Sequence, residues 1–149
     1  MKVSVYGKSP HINTKLLRKA SRFYIRQLIP DIYDKIEVKI SILQKLIKDD
    51  VECWGYCTPK NIKQKNPKIF HIYLHQDMNK HMMLKTLAHE MVHVKQYAKN
   101  TLTKDNAGRY KWKGEVVTAY WSAYYEKEAY RRENKLYKAF KKFYSNPKD

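Results

Sequence analysis

The stretch LAHEMVHVKQ, residues 87–96, contains two histidines separated by three residues, with a glutamate directly after the first histidine. On an α-helix, His89 and His93 lie about 40° apart around the axis, so both imidazoles face the same side. Two neutral imidazoles in this arrangement can occupy two positions of a tetrahedral zinc site. The stretch therefore predicts a helix that carries two metal ligands on one face.

Glu90 follows the first histidine, where its carboxylate can reach a water molecule on the metal without binding the ion itself. The metal lowers the pKa of that water, and a carboxylate so placed can take its proton as a general base and pass it to a leaving amine. The five-residue pattern alone is moderately specific, because it also occurs by chance in helices whose histidines are merely exposed.

The sequence around this pattern predicts a helix over residues 80–99, capped by Asp77 or Asn79. An apolar stripe roughly opposite the histidines gives the helix a surface to bury. The stripe consists of Met83, Leu84, Leu87, Met91, Val94 and Ala98. The histidines are therefore expected to face a cleft, and Gln96 either orients a ligand or lies at the rim.

A second helix, predicted over residues 115–143, supplies the candidates for a third ligand. Its inward stripe is predicted to consist of Val116, Ala119, Ala123, Tyr130 and Tyr137. Glu126 and Glu133 fall within this stripe, whereas Glu128 falls outside it. An unpaired carboxylate among apolar side chains is costly, and a zinc ion would pair with it. Glu126 is the predicted third ligand, while Glu133 either orients a ligand histidine or forms an ordinary ion pair.

Three segments, in this order, resemble the small phage-encoded metallopeptidases: LAHEMVHVKQ at 87–96, KWKGE at 111–115 and YYEKEAYRRE at 124–133. That group typically carries HExxHxxQ, a W-x-G element and a PWExEAxxxE helix. The chain is more distantly similar to the SprT-like and ImmA-like zincins, and the resemblance covers roughly residues 50–140. Tyr-Tyr replaces the Pro-Trp of the group, so the second helix is expected to begin earlier or to bend.

The resemblance implies a minimal zincin-like fold of the gluzincin type. It implies a zinc metallopeptidase with His89, His93 and Glu126 as the zinc ligands and Glu90 as the general base. No histidine follows His93, which excludes the zincin variant with a third histidine ligand. For a phage protein, the expected location is the host cytoplasm.

Helical and alternating patterns predict the remaining elements. Residues 14–28 have apolar side chains at helical spacing. Residues 36–43 alternate as a half-buried strand, and residues 54–58 and 69–75 predict a hairpin with a long loop. Residues 1–6 form either a short strand or a leader.

The predicted order of one helix, three strands and two helices is that of an α+β domain. Its small, mostly antiparallel sheet is expected to pack against the N-terminal helix, the histidine-bearing helix and the long C-terminal helix. A length of 149 residues and a hydrophobic fraction of 43% predict a single folded domain over residues 1–149.

The charge balance bears on partners rather than on fold. The chain has 31 Lys and Arg against 14 Asp and Glu, a net charge of +17. Nucleic acid, an anionic membrane surface or an acidic protein would suit such a charge, whereas the plain alternative is a solvated, lysine-rich surface. Two cysteines, with neither a signal peptide nor a membrane-spanning run, predict a cytoplasmic protein without membrane association.

The sequence does not assign one function to each of two further histidines and two cysteines. His71 and His75 lie on one side of the strand before the histidine-bearing helix, where they either hold substrate or face solvent. In zincins that strand borders the substrate cleft. Cys53 and Cys57 are interpreted as free thiols, because CxxxC without further partners is a weak pattern for a second metal site.

Two functions remain after these observations. The first is a zinc metallopeptidase acting on protein or peptide substrates, with nucleic-acid-associated or acidic proteins favoured by the basic surface. The second is a nucleic-acid-binding or protein-binding module on the same scaffold, with a structural or vestigial zinc site. Glu90 favours the enzyme, because a structural site does not need a base beside its ligands.

Overall fold

The structure, a computed structural model, describes residues 1–62, 64–118 and 123–145. Its α-helices are α1 (Thr14–Leu28), α2 (Lys80–Ala98) and α3 (Tyr124–Ser145), and a short 3-10 helix, Pro30–Lys35, follows α1. Its strands are β1 (Lys2–Tyr6), β2 (Glu37–Leu43), β3 (Ile47–Lys48), β4 (Val51–Glu52), β5 (Gly55–Pro59), β6 (Ile69–His75), β7 (Leu102–Lys104), β8 (Tyr110–Trp112) and β9 (Glu115–Val116).

The main sheet has four strands in the order β1-β2-β6-β5. Strands β1, β2 and β6 run parallel to one another, and β5 pairs with β6 in the antiparallel direction. The α+β class and the hairpin of β5 and β6 are confirmed, but the prediction of a mostly antiparallel sheet is wrong here. For β1 and β2 the cause is a crossover: α1 returns the chain from the end of β1 to the start of β2, and helical crossovers join parallel strands. Strands β2 and β6 are also parallel neighbours, although β3, β4 and β5 lie between them in the chain.

Alternating burial places the core on one face of this sheet. The buried apolar side chains of β2 and β6 are Val38, Ile40, Ile42, Phe70, Ile72 and Leu74. Helix α2 packs against β5, β6, α1 and α3, which buries its predicted apolar stripe. Its first turn is capped by Asn79, whose side-chain oxygen accepts from Met82 N at 2.8 Å.

A small antiparallel sheet, β7-β8-β9, lies between α2 and α3 in the chain. Helix α3 therefore begins at Tyr124, and the predicted start at residue 115 is wrong. Lys113 and Gly114, with φ of 51° and 88°, form the two-residue turn between β8 and β9. Positive φ at both positions is typical of tight hairpin turns, so the chain continues as a strand. Of the predicted inward stripe, Ala123 and Tyr137 are buried, but the prediction is wrong for Val116 and Tyr130, which are exposed. Ala119 lies outside the described residues.

Aromatic side chains join α3 to α1. The ring centroid of Phe140 lies 5.5 Å from that of Phe23 and 5.7 Å from that of Tyr24. The Tyr24 hydroxyl donates to the Leu84 carbonyl of α2 at 3.0 Å. These contacts hold α3 across α1 and α2, and thereby position the N-terminal half of α3 against the histidines. Within the described ranges, no helix is both long and apolar enough to cross a bilayer.

Candidate metal centre

His89, His93 and Glu126 come together where α2 packs against α3. One ligand atom from each residue lies within 4.8 Å of the others. Glu126 Oε1 is 3.3 Å from His89 Nε2 and 2.6 Å from His93 Nε2. All three side chains are buried, so the donor atoms face one another rather than solvent. The residues predicted from the sequence thus form a buried group that could bind a metal ion.

Gln96 fixes the orientation of His93. The Gln96 side-chain nitrogen donates to the Tyr125 carbonyl and to Glu128 Oε1, both at 2.9 Å. Its oxygen is therefore the atom that accepts from His93 Nδ1, at 2.8 Å. A proton held on Nδ1 leaves Nε2 of His93 as the ligand atom. Gln96 thus orients a histidine, the first of its two predicted roles.

Glu133 is placed in the same way against His89. Its Oε1 lies 3.5 Å from His89 Nδ1, on the side of the ring away from Glu126. An anionic acceptor there favours a proton on Nδ1, which directs Nε2 of His89 toward the three-donor group. Of the two roles predicted for Glu133, the structure shows the contact with a histidine.

The donor set fits zinc. Two imidazole nitrogens and one carboxylate oxygen, with a fourth position open, are a common composition of catalytic zinc sites. Tetrahedral zinc bonds of about 2.0–2.2 Å separate neighbouring ligand atoms by about 3.4 Å. The 3.3 Å between His89 Nε2 and Glu126 Oε1 agrees with that value. The distance between His93 Nε2 and Glu126 Oε1 is 2.6 Å and would have to lengthen by roughly 0.8 Å for both atoms to bind one zinc ion.

The charge within the group favours a cation. Burial acts to lower the pKa of His89, but the carboxylates of Glu126 and Glu133 outweigh it and raise this pKa to about 10. Burial acts to raise the pKa of Glu126, but hydrogen bonds with His89 and His93 lower it well below its usual range. Without metal, His89 therefore carries a proton at neutral pH beside an ionised carboxylate, and a divalent cation at this site would displace that proton and pair with the carboxylate instead.

Glu90 lies beside this group without belonging to it. Its side chain is 5% exposed and lines the same cavity as the three donors. Burial raises the pKa of Glu90, and the neighbouring charges of His93 and His89 oppose this increase only in part. A carboxylate with a raised pKa is suited to take a proton and to release it again, as a general base must.

A cavity of about 650 Å³ adjoins the three donors. The Lys48 ammonium, from β3, donates to the Tyr110 hydroxyl at 3.3 Å and lies 3.8 Å from the centroid of the Tyr56 ring. Tyr130 stands edge-on against His89, with centroids 4.6 Å apart, and is 63% exposed. The cavity therefore combines a metal-binding group, a buried base, an exposed phenol and a cation.

Lys48 and Tyr130 are cavity residues that the sequence patterns do not indicate as functional. Tyr130 follows Glu126 by four residues, and this helical spacing was a signal that it shares the ligand face. Lys48 carries no such signal, because it lies in a two-residue strand followed by Asp49 and Asp50, both with positive φ.

The strand that borders the cavity is β5 rather than the predicted β6. Strand β6 lies between β2 and β5, so both of its edges are paired and a peptide cannot add to it. Strand β5 stands at the edge of the sheet and lines the cavity through Gly55, Tyr56 and Cys57. A Cβ at Gly55 would lie 2.7 Å from Thr86 Cγ2 and 3.1 Å from Glu90 Oε2, so glycine permits this close approach.

His71 and His75 lie outside the lining of this cavity. His71 is half-buried and hydrogen-bonds to the Ser41 hydroxyl at 2.8 Å. His75 is 2% exposed, and its Nε2 donates to Glu52 Oε1 at 3.0 Å. The prediction that it faces solvent is wrong, because Glu52 and Trp54 cover this end of β6.

Cys53 and Cys57 are free thiols, as predicted. Both line the cavity, and burial raises the pKa of each. Thiols with raised pKa values remain protonated at neutral pH, and the thiolate is the form that binds metals. The candidate metal-binding group is therefore made of two imidazoles and one carboxylate.

Comparisons of the chain with family models, with curated proteins and with solved structures find no match. The function is therefore inferred from the residues of the metal centre and from their geometry.

Proposed function

We propose that the protein is a zinc-dependent metallopeptidase that hydrolyses peptide bonds with Glu90 as the general base. The observation that carries the proposal is the convergence of two imidazole nitrogens and one carboxylate oxygen within 4.8 Å, beside a buried glutamate. A structural zinc site usually has four protein ligands and no base. Three donors, a base and an adjoining cavity of about 650 Å³ favour catalysis instead.

Each part of the site has a role in this proposal. The three donors hold the zinc ion, and Gln96 and Glu133 orient the two imidazoles. The chemistry that zinc supplies when bound at such a site is a lower pKa for water and polarisation of the peptide carbonyl. Glu90 takes a proton from the attacking water and gives it to the leaving amine, and its raised pKa suits both transfers.

Tyr130 is the proposed donor to the carbonyl oxygen on which negative charge develops. It stands against His89, is exposed, and lines the cavity in which a substrate would bind. Burial and the nearby carboxylates of Glu126, Glu133 and Glu90 raise its pKa, so the phenol keeps its proton. A neutral donor at the reacting oxygen stabilises charge that appears only in the transition state.

The substrate is proposed to be an extended peptide with an acidic residue near the cleaved bond. Support for an extended conformation comes from β5, whose position at the sheet edge allows a peptide to pair with it. Support for the acidic residue comes from Lys48, whose ammonium is held at the cavity by Tyr56 and Tyr110.

The test is digestion of a mixture of peptides of varied sequence by the zinc-loaded protein, with cleavage sites identified by mass spectrometry. We expect cleavage that a chelator abolishes and added zinc restores, with acidic residues enriched around the cleaved bonds. Absence of cleavage, or cleavage that persists after complete removal of metal, would contradict the proposal.

Gly55→Ala should lower kcat/KM about tenfold, because the added methyl displaces the Glu90 carboxylate or Thr86. Thr86→Ser removes the Cγ2 atom that the new methyl would meet first, so the double variant should regain most of the activity. The measurement is peptide cleavage by wild type, both single variants and the double variant. Full activity in Gly55→Ala would show that this close approach does not position the base.

We also expect Glu133→Gln to lower zinc affinity by about 10- to 100-fold, because a neutral amide holds the Nδ1 proton of His89 less firmly. The affinity is measured by competition with a chelating dye at one pH. Glu115→Gln, an exposed glutamate of β9, is the matched control and should bind zinc as the wild type does. Equal affinity in both variants would remove Glu133 from the proposed site.

A second candidate function is favoured by the net charge of +17. In it, the protein is a binding module for nucleic acid or protein, and the zinc site is structural or vestigial. In this function the same three residues would hold the zinc ion, but Glu90 has no role. The two functions therefore differ in what Glu90→Gln does.

A further inference from the structure

Helix α1 carries positive charge without any compensating acid. Its 15 residues include five Lys and Arg and no Asp or Glu. Lys15, Lys19, Arg22 and Arg26 are exposed, and their spacing places them on one side of the helix. This row is about 16 Å long, at 1.5 Å of rise per residue.

The C-terminal half of α3 continues this charge. No acid follows Glu133 within the helix, and its exposed lysines there are Lys135, Lys138, Lys141 and Lys142. The ring of Phe23 in α1 lies 5.0 Å from that of Phe143. Lys19 Nζ lies 4.9 Å from the centroid of Tyr144. The cations of the two helices therefore belong to one continuous surface.

A groove of about 720 Å³ lies between α1, α2 and α3 on this surface. Among the residues that the structure describes, its lining includes four lysines and His81 but no acidic residue. We call the lysines Lys80, Lys138, Lys141 and Lys142, together with Lys19 at Tyr144, the basic groove. The ion pairs found among the described residues involve none of these five lysines.

We propose that the basic groove binds the phosphate backbone of a nucleic acid. Uncompensated lysines repel one another, and a polyanion relieves this repulsion while releasing its own counterions. The row of cations on α1, which continues the charge of the groove, is about 16 Å long. This length favours nucleic acid over a single phosphate group, because about 16 Å of duplex presents roughly five phosphates on each strand. Lysine acts as a point charge on phosphate and requires no particular base sequence.

The groove and the metal centre lie on the same two helices. Lys138 follows Glu133 by five residues of α3, about 7.5 Å along the helix axis. If the protein is also a peptidase, a nucleic acid in the groove would bring proteins bound to that nucleic acid near the cavity. Binding in the groove does not itself require zinc or Glu90.

Fluorescence anisotropy with a labelled DNA duplex of about 20 base pairs tests this proposal, between roughly 50 and 200 mM KCl. The wild type should bind at the lower salt, and the logarithm of its affinity should fall with the logarithm of salt with a slope of about −4 to −5. Lys138→Glu, Lys141→Glu and Lys142→Glu together should weaken binding at least tenfold and reduce the slope by about 3.

The matched control is Lys8→Glu, Lys60→Glu and Lys65→Glu, which changes net charge equally at exposed lysines outside the groove. It should retain binding within about threefold of the wild type. Circular dichroism melts check that both triple variants are folded. No binding by wild type at low salt, or equal loss in the control, would overturn the proposal. Competition by polyglutamate as effective as DNA, at equal charge concentration, would identify an acidic protein as the partner instead.

Discussion

Glu90→Gln should lower kcat/KM for peptide hydrolysis by about 10²- to 10⁴-fold, the range that a positioned general base contributes. Glutamine has nearly the same shape as glutamate, so the side chain, 5% exposed, keeps its place beside the metal centre. An amide cannot accept the proton of the attacking water or return it to the leaving amine. The loss should therefore appear in turnover, while zinc binding remains within about threefold of the wild type.

The measurement pairs peptide cleavage with zinc affinity for the same preparations. Glu115→Gln removes a carboxylate from the exposed strand β9 and should leave both quantities unchanged. If Glu90→Gln keeps its zinc and also keeps its activity, Glu90 is not the base. If the wild type shows no cleavage with zinc bound, the metal centre serves the binding module instead.

Glu126→Gln should weaken zinc binding by about 10²- to 10³-fold. Structural zinc sites with four ligands bind zinc with roughly 10–16 kcal/mol in total, so one ligand contributes about a quarter of that free energy. Glu126 Oε1 lies 3.3 Å from His89 Nε2 and 2.6 Å from His93 Nε2, and among the described residues Glu126 is the carboxylate that forms the metal-binding group with these two histidines. An amide oxygen carries no negative charge and is a poorer ligand for zinc.

Two measurements quantify the effect of removing this ligand. Dye competition gives the zinc affinity directly. Thermal melts give the increase in the free energy of unfolding that zinc causes. When the free zinc concentration is 1,000 times the wild-type dissociation constant, this increase is about 4 kcal/mol for the wild type, and it is correspondingly smaller for the variant. A larger loss of zinc in Glu133→Gln than in Glu126→Gln would reverse the assignment, making Glu133 the ligand and Glu126 the orienting residue.

The helix with the two histidines could be predicted from sequence because its signals are local. The four-residue spacing of His89 and His93, the apolar stripe and the cap at Asn79 all act within one helix. Glu126 could be predicted because a carboxylate in an apolar stripe is costly without a partner. The energetic penalty for an unpaired buried charge thus predicted a contact between two helices that about 25 residues of sequence separate.

The sheet could not be predicted in the same way, because strand order depends on contacts between distant segments. The alternation in β2 and β6 indicates strands, but it does not indicate that the two are parallel neighbours. The start of α3 was missed because the turn at Lys113 and Gly114 requires positive φ at both residues, which helical periodicity does not reveal. Lys48 reaches the cavity from a hairpin too short to have a pattern.

The proposed function requires that His89, His93 and Glu126 bind one zinc ion. The most direct measurement is the metal content of the purified chain after exposure to zinc and removal of unbound metal, by inductively coupled plasma mass spectrometry. The expected result is one zinc ion per wild-type chain and little or none in His89→Ala and His93→Ala. Wild-type protein without zinc, or histidine variants with as much zinc as the wild type, would contradict the claim.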